Sequence, residues 1–224
     1  MFYETLANKH GLPHDPFLAC VAPRPIGWVS TVGRDGKVNL SPYSFYNAVA
    51  HRPPRIFFSG VGMHADGGIK DSVRNAEQVG EFVLNIATWD LREQMNYTSA
   101  HFDRGVNEAE MADLELEPST LVKPPRVKAS PIHLECTYLT TLRVPTIDPA
   151  ADNSIVFGTV VGVHIDDRVL TNGRIDVTKV KPIGRMGYMD YCVIDKVFTM
   201  SRPTVGAKPT FNTNMELYTG FERK

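Results

Sequence analysis

A charged side chain, a hydroxyl and a predicted helix start lie together at Lys70, Asp71 and Ser72. Apolar residues at helical spacing continue to Val79, and Gly80 is a natural C-terminal stop. A helix N-terminus, an ammonium group and a hydroxyl together favour an anion such as phosphate. We therefore predict an anion site here. The sequence leaves two alternatives open: Lys70 as a solvated surface lysine, and Asp71 as a simple helix cap.

Hydroxyl and aromatic side chains are mixed on two runs that have the composition of neighbouring strands. Ser30 and Thr31 follow Trp28 in the first run, and Ser44 precedes Phe45 in the second. A flat heteroaromatic ring needs polar edges and apolar faces, which this mixture provides. Together, this site for a planar ring and the anion site at Lys70 indicate a nucleotide-like ligand. Ser30 and Thr31 can equally be ordinary strand residues, and Trp28 can be plain core.

Other motifs fail on their context. Residues 60–65 resemble a dinucleotide-binding fingerprint, but the Asp-Gly-Gly at 66–68 breaks the helix that this fingerprint needs. His10 and His14 cannot share a helical face because a glycine and a proline lie between them. His64 lacks a third ligand. We predict no metal site, and no residue demands nucleophilic or paired-carboxylate catalysis.

The elements that must position these residues are mainly strands. Asp-Gly at 35–36 is a hairpin signal between the first two runs. Many strands, many turns and few helices predict an antiparallel barrel and not a doubly wound sheet. The predicted strands cover residues 26–32, 37–46, 55–59, 81–87, 131–144, 154–166 and 188–200, with a turn at 170–174. Predicted helices cover residues 2–9 and 71–79. A third begins near Asp90, which forms a capping box with Glu93, and a short fourth is capped by Asn107 together with Glu110.

The composition predicts one globular domain over residues 1–224, with a lead-in at 1–20 and a C-terminal arm at 203–224. A net charge of −1 argues against nucleic acid or an anionic membrane as a partner. The nearly apolar run at 155–165 is far shorter than the roughly 20 residues of a membrane helix. Three widely spaced cysteines favour a reduced, cytoplasmic protein.

Five motifs follow one another in an order typical of one family. They read RPIGWVST at 24–31, NLSPYSFYN at 39–47, KDSVRN at 70–75, EFVLNI at 81–86 and KPIGRMG at 181–187. On these motifs the chain resembles the flavin reductase-like family of FMN-binding split barrels, over roughly residues 15–200. That family includes flavoredoxins and the reductase components of two-component monooxygenases.

The resemblance implies a mostly β fold, a six-stranded antiparallel split β-barrel with Greek-key character and a few peripheral helices. It also implies a homodimer with FMN near the interface. Arg185 would lie at or near the site, in one reading from the other subunit, although it could instead pair with Asp190 or Asp195. The implied FMN-binding residues are Trp28, Ser30, Thr31, Ser44, Phe45, Tyr46, Asn47, Ser59, Lys70, Asp71, Ser72 and Arg185.

The implied activity is an NAD(P)H:flavin oxidoreductase in which NADH or NADPH delivers hydride to FMN, with no certain catalytic residue. Electrons would then pass to free flavin or a partner such as a monooxygenase. Residues 188–191 depart from the family pattern and motivate a second hypothesis, a non-enzymatic FMN-binding electron carrier. A third hypothesis is a barrel that has lost its flavin.

Overall fold

The computed structural model describes residues 1–148, 151–200, 202–203 and 205–206. The helices in this part are α1 (Phe17–Cys20), α2 (Asp71–Val79), α3 (Arg92–Tyr97), α4 (Glu108–Met111) and α5 (Val177–Val180), with a 3-10 turn at Asp167–Val169. The strands are β1 (Arg24–Pro25), β2 (Gly27–Val32), β3 (Val38–Tyr43), β4 (Tyr46–His51), β5 (Pro54–Val61), β6 (Glu81–Ile86), β7 (Leu116–Glu117), β8 (Arg126–Val127), β9 (Ile132–Arg143), β10 (Asn153–Ile165), β11 (Leu170–Thr171), β12 (Arg174–Ile175), β13 (Ile183–Arg185) and β14 (Tyr191–Val193).

The main sheet is antiparallel and has seven strands in the order β3-β2-β6-β9-β10-β5-β4. This is one strand more than the predicted six, because the chain bends at Ser44 and Phe45 and resumes as β4, which pairs with β5. β4 is exposed along almost its whole length, so it lacks the apolar alternation that marks a strand in the sequence. The mostly β class with few helices is confirmed.

Strand β2 lies between two hydrophobic cores, and five of its six residues are buried. Val29 points into the first core, where α2 packs through Val73, while Trp28 points into the second. Successive side chains of a strand face opposite sides, so every residue of β2 meets protein. The first core also holds Tyr43, Ile56, Phe58, Ala76, Phe82, Leu84, Cys136, Val156 and Val160, and the second holds Ile26, Leu40, Ala87, Leu91, Met95, Ala109, Val127 and Ile183.

Several local predictions are confirmed. Helix α2 covers residues 71–79, and Gly80 closes it with φ +82° and a bond from its N–H to the Ala76 carbonyl. The Asp-Gly hairpin joins β2 to β3, with Gly36 at φ +81°. Asn107 caps α4, since its side chain accepts from the Ala109 N–H. These features depend on residues within one turn of one another.

Three other element predictions are wrong. Residues 2–9 contain only a turn, and the first helix comes later, at Phe17–Cys20. Helix α3 begins at Arg92 after Leu91, without a side-chain cap, so Asp90 and Glu93 form no capping box. Residues 188–200 are not a long strand, because only Tyr191–Val193 pairs, with β13.

The three-stranded sheet β1-β13-β14 joins the first strand to the last two strands of the described residues. No helix in the described ranges is long and apolar enough to cross a membrane. One domain over residues 1–224 stays a prediction, since most of the predicted arm at 203–224 lies outside the described residues.

Candidate functional site

A groove runs beside the N-terminus of helix α2, formed by two adjoining depressions that share Ser41, Tyr43, Lys70 and Ser99. Four segments form its walls: the end of β3 with the following bend, the end of β5, the start of α2, and residues 99–102 after α3. Its other lining residues are Asn39, Pro42, Ser44, Phe45, Ser59, Val61, His64, Asp71, Ala100, His101, Phe102 and Glu108.

Lys70 is the cation of this groove. It occupies the N-cap position of α2 with extended backbone (φ −56°, ψ 145°), and no side chain caps the helix. The N–H groups of the first turn therefore lack intrahelical partners. Burial lowers the pKa of the Lys70 ammonium, and within the described residues no carboxylate pairs with it. The N-terminus of α2 and the unpaired ammonium of Lys70 together form a candidate anion site.

Ser72 lies beneath the groove and not in it. It is buried, and its Oγ lies 2.8 Å from the side-chain amide of Asn39. Burial raises the pKa of the nearby Tyr43 hydroxyl to about 12. The Ser72 side chain thus ties α2 to β3, and its backbone N–H is the group left for a ligand.

Asp71 is held by two arginines. It accepts hydrogen bonds from Arg104, and Arg74 approaches it at 2.7 Å. The carboxylate also contributes to the groove wall beside Lys70. Its neutralisation by two guanidinium groups leaves Lys70 free to attract an anion.

The bend after β3 supplies the second wall. Ser44 and Phe45 face the outer depression together with Ser59, and the Ser59 N–H donates to the Phe45 carbonyl at 2.8 Å. This bond fixes the bend against β5. The structure therefore gathers five of the predicted residues around the groove: Ser44, Phe45, Ser59, Lys70 and Asp71.

Three of the predicted residues lie on strand β2, and none of their side chains reaches the groove. Trp28, Ser30 and Thr31 are fully buried. The Trp28 Nε1 donates to Thr98 Oγ1 at 2.9 Å, and the Ser30 Oγ donates to the Pro125 carbonyl at 2.5 Å. Thr31 Oγ1 accepts from the Asn75 amide at 3.2 Å. Because β2 has protein on both faces, these side chains are engaged inside the fold and line neither depression.

Three more predicted residues lie apart from the groove. Tyr46 packs against the first core, where burial raises its pKa to about 12. Asn47 is exposed on β4 and accepts from the Ala48 N–H at 2.8 Å. Arg185 stacks on Tyr191 and lines a different cavity. Its guanidinium bonds to the Tyr191 hydroxyl and the Tyr188 carbonyl, and to neither of the two aspartates considered for it.

Several groove residues were missed by the sequence analysis. Ser41 and Tyr43 belong to a motif that was recognised, so β-strand alternation could have assigned them to one face. Ser99, His101 and Phe102 follow a short helix and belong to no recognised motif. Glu108 carries no local signal either, and tertiary packing alone places it beside β3, where it accepts from the Leu40 N–H at 2.8 Å.

The groove combines one cation, a helix N-terminus, the hydroxyls of Ser41, Ser44, Ser59 and Ser99, and aromatic rings. These groups fit an anion joined through a polar chain to a planar ring. No cluster of three or more His, Cys, Asp or Glu side chains able to hold a metal occurs in the part of the chain that is described.

Comparison with known proteins gives consistent results. The family model described as flavin reductase like domain matches residues 19–181. An uncharacterized protein of Aquifex aeolicus is 37% identical over 171 residues, which cover 76% of this chain and 84% of that protein.

Two solved structures share the fold. Nitrilotriacetate monooxygenase component B from Bacillus cereus superposes with a TM-score of 0.82 at 28% identity, covering 89% of this chain and 98% of that one. A split barrel domain protein from Shewanella frigidimarina superposes with a TM-score of 0.73 at 23% identity, covering 90% and 94%. The second likeness concerns the fold alone.

Proposed function

This chain belongs to the flavin reductase-like domain family, and we propose that it is an NAD(P)H:flavin oxidoreductase that binds FMN in the groove around Lys70. When bound, FMN would accept a hydride from NADH or NADPH and pass the electrons on, a chemistry that amino-acid side chains alone do not provide. The protein itself would bind FMN, orient it and exclude water from the reacting atoms.

The observation that carries this proposal is the half-buried, unpaired ammonium of Lys70 at an uncapped helix N-terminus. Burying part of a charge is costly unless a partner of opposite charge arrives. A phosphate would provide that charge, and its oxygens would accept from the N–H groups of the first turn of α2. Lys70 and the backbone of residues 71–73 would therefore hold the phosphate.

The rest of the groove has the polarity that the remaining parts of FMN require. The hydroxyls of Ser44 and Ser59 offer hydrogen bonds to a polyhydroxyl chain or a ring edge. Phe45 and Phe102 supply apolar surface for a planar ring. Hydride transfer to a flavin needs no general base, so the proposed chemistry does not depend on the titratable side chains of the groove.

A substitution at Lys70 tests the phosphate assignment. For Lys70→Ala we expect FMN affinity to fall about 10-fold to 100-fold, which corresponds to about 1.4–2.8 kcal/mol. Riboflavin, which lacks the phosphate, should bind wild type and variant equally, and Lys70→Arg should restore most of the FMN affinity. Fluorescence titration of both flavins measures this. Equal losses for FMN and riboflavin would contradict a phosphate contact.

Activity requires a separate measurement. The purified protein is mixed with excess FMN, passed through gel filtration, and its visible spectrum is recorded before NADH and NADPH oxidation is followed. A retained flavin band and rapid oxidation with added flavin would support the reductase. If the protein neither retains FMN after gel filtration nor oxidises NADH or NADPH with excess FMN present, the proposed reductase function is overturned.

We also propose a homodimer, with a monooxygenase as one candidate electron acceptor. Support for the acceptor comes from the similarity to a monooxygenase component B. Support for the dimer comes from the apolar side chains that β10 leaves exposed, Val161, Val163 and Ile165. Analytical ultracentrifugation tests the dimer, and a monomer at micromolar concentration would contradict it.

A non-enzymatic electron carrier is the alternative that one observation favours. The Arg185 guanidinium is held by the Tyr191 hydroxyl and the Tyr188 carbonyl. These contacts hold the stretch at residues 188–191, which departs from the family pattern and would form a bulkier wall against a nicotinamide ring. Slow oxidation of both NADH and NADPH by the FMN-loaded protein would favour the carrier over the reductase.

A further inference from the structure

A second cavity of about 400 Å³ lies between the start of α3 and the β13–β14 strands. It shares no lining residue with the groove around Lys70. The first turns of α3 border this cavity, whereas the segment after α3 borders the groove. Its volume is in the range typical of small-molecule sites.

Two guanidinium–aromatic pairs contribute to its wall. Arg92 lies 4.0 Å from the centre of the Trp89 ring, and Arg185 lies 4.5 Å from that of Tyr191. Ile183 in the wall belongs to the second core and is almost fully buried. The two aromatic side chains and Ile183 give the wall apolar surface against which a planar ring can pack.

The charge of the cavity favours an anion. Arg92 is balanced by Glu93 at 3.3 Å. Arg185 bonds only to the Tyr191 hydroxyl, the Tyr188 carbonyl and the Met189 sulfur, and no carboxylate pairs with it within the described residues. A guanidinium has five N–H donors, so some remain to bind a carboxylate.

From these observations we propose that this cavity binds a small aromatic carboxylate, with its carboxylate on Arg185 and its ring against Trp89 and Tyr191. The proposal does not rest on FMN binding, because the two sites have separate walls. It assigns Arg185 a ligand that differs from the flavin predicted for it.

Benzoate is the probe, and calorimetry on the full chain, with and without excess FMN, measures its binding. Two matched compounds separate the recognition elements, since benzamide lacks the charge and cyclohexanecarboxylate lacks the planar ring. We expect saturable binding of benzoate and at least tenfold weaker binding of both analogues. Equal affinity for benzoate and benzamide would overturn the proposal.

Tryptophan fluorescence locates the bound probe. The chain has two tryptophans, and Trp28 is fully buried while Trp89 is partly exposed in the cavity wall. Benzoate should change the fluorescence of the flavin-free protein with the same affinity that calorimetry gives, and Trp89→Phe should remove this change. A response that survives Trp89→Phe would place the probe elsewhere and overturn the assignment.

Arginine substitutions complete the test. Arg185→Gln should weaken benzoate binding at least tenfold. Arg185→Lys, which keeps a cation at this position, should retain part of the affinity and provides a second variant if Arg185→Gln does not fold. Arg168→Gln is the control, because Arg168 is exposed and pairs with Asp166 away from the cavity. NADPH is tested as a competitor of benzoate. If NADPH displaces benzoate and binds more tightly than benzoate does, the proposal is overturned and the cavity is a dinucleotide site.

Discussion

Glu108 gives the candidate groove a side chain that titrates near neutral pH. Its carboxyl is buried and accepts from the Leu40 N–H, and burial raises its pKa from 4.5 to about 7. Between these two values the folded protein binds more protons than the unfolded chain. The free energy of unfolding therefore falls as the pH rises through this window.

Glu108→Gln should remove this dependence. Relative to the variant, we expect wild type to lose about 3 kcal/mol of unfolding free energy from about pH 4.5 to about pH 7. FMN affinity of wild type should also fall above about pH 7, because a second negative charge then faces the groove. Urea denaturation from about pH 4.5 to about pH 7 measures the first effect, and flavin titration from about pH 6 to about pH 8 measures the second.

Glu110→Gln provides the matched control for this prediction. Glu110 lies on the same helix but is exposed, and it bonds to the Asn107 amide. Its pH curves should follow those of wild type. Parallel curves for wild type and Glu108→Gln would show that Glu108 ionises normally in the fold.

At the scale of elements, one arginine fixes the loop that delivers Lys70. Arg104 donates to both oxygens of Asp66, to Asp71, and to the carbonyls of Gly67 and Ile69. This loop, residues 62–70, contains three glycines with positive φ. Glycine has many accessible conformations in the unfolded chain, so ordering the loop on folding costs conformational entropy. The hydrogen bonds from Arg104 offset that cost, and they lower the pKa of Asp66.

Arg104→Ala should release the loop without unfolding the sheet. We expect FMN affinity to fall about tenfold, equivalent to about 1.4 kcal/mol, with faster proteolysis within residues 62–70. The control is Arg168→Ala, which removes a similar arginine–aspartate pair on an exposed turn. Limited proteolysis followed by mass spectrometry locates the cuts. Unchanged affinity together with unchanged proteolysis would mean that the loop holds its shape without Arg104.

At the scale of the whole molecule, β10 lies inside the sheet between β5 and β9 and contributes Val156 and Val160 to the first core. The register between β9 and β10 shifts at Gly158. A Cβ added at Gly158 would lie 2.4 Å from Phe82, which is fully buried, and 3.2 Å from the Thr137 carbonyl. The close approach of an aromatic ring therefore requires glycine here.

Gly158→Ala should destabilise the protein by about 1–3 kcal/mol, because the core has no room for another carbon. Gly162→Ala, on the same strand, is the matched control. Its added Cβ would have ordinary contacts of 3.4 Å or more, so we expect a change within about 0.5 kcal/mol. Chemical denaturation of both variants measures the difference. Similar stabilities would indicate that Phe82 can move aside.

The sequence by itself determined the features that depend on neighbouring residues. Helix α2 with its Gly80 stop, the Asp-Gly hairpin and the Asn107 cap follow from local geometry. The start of α2 also identified Lys70 as an anion-binding candidate. Motif order identified the family, because several short patterns in one order specify more than any one of them does.

Only the tertiary structure decided which motif side chains face the groove. Ser30 bonds to the Pro125 carbonyl 95 residues away, and Trp28 bonds to Thr98 at a separation of 70 residues. Distant partners of this kind, and the second core behind β2, leave no trace in local sequence spacing. The same is true of His101 and Arg185, because packing between remote segments assigned one to the groove and the other to a separate cavity.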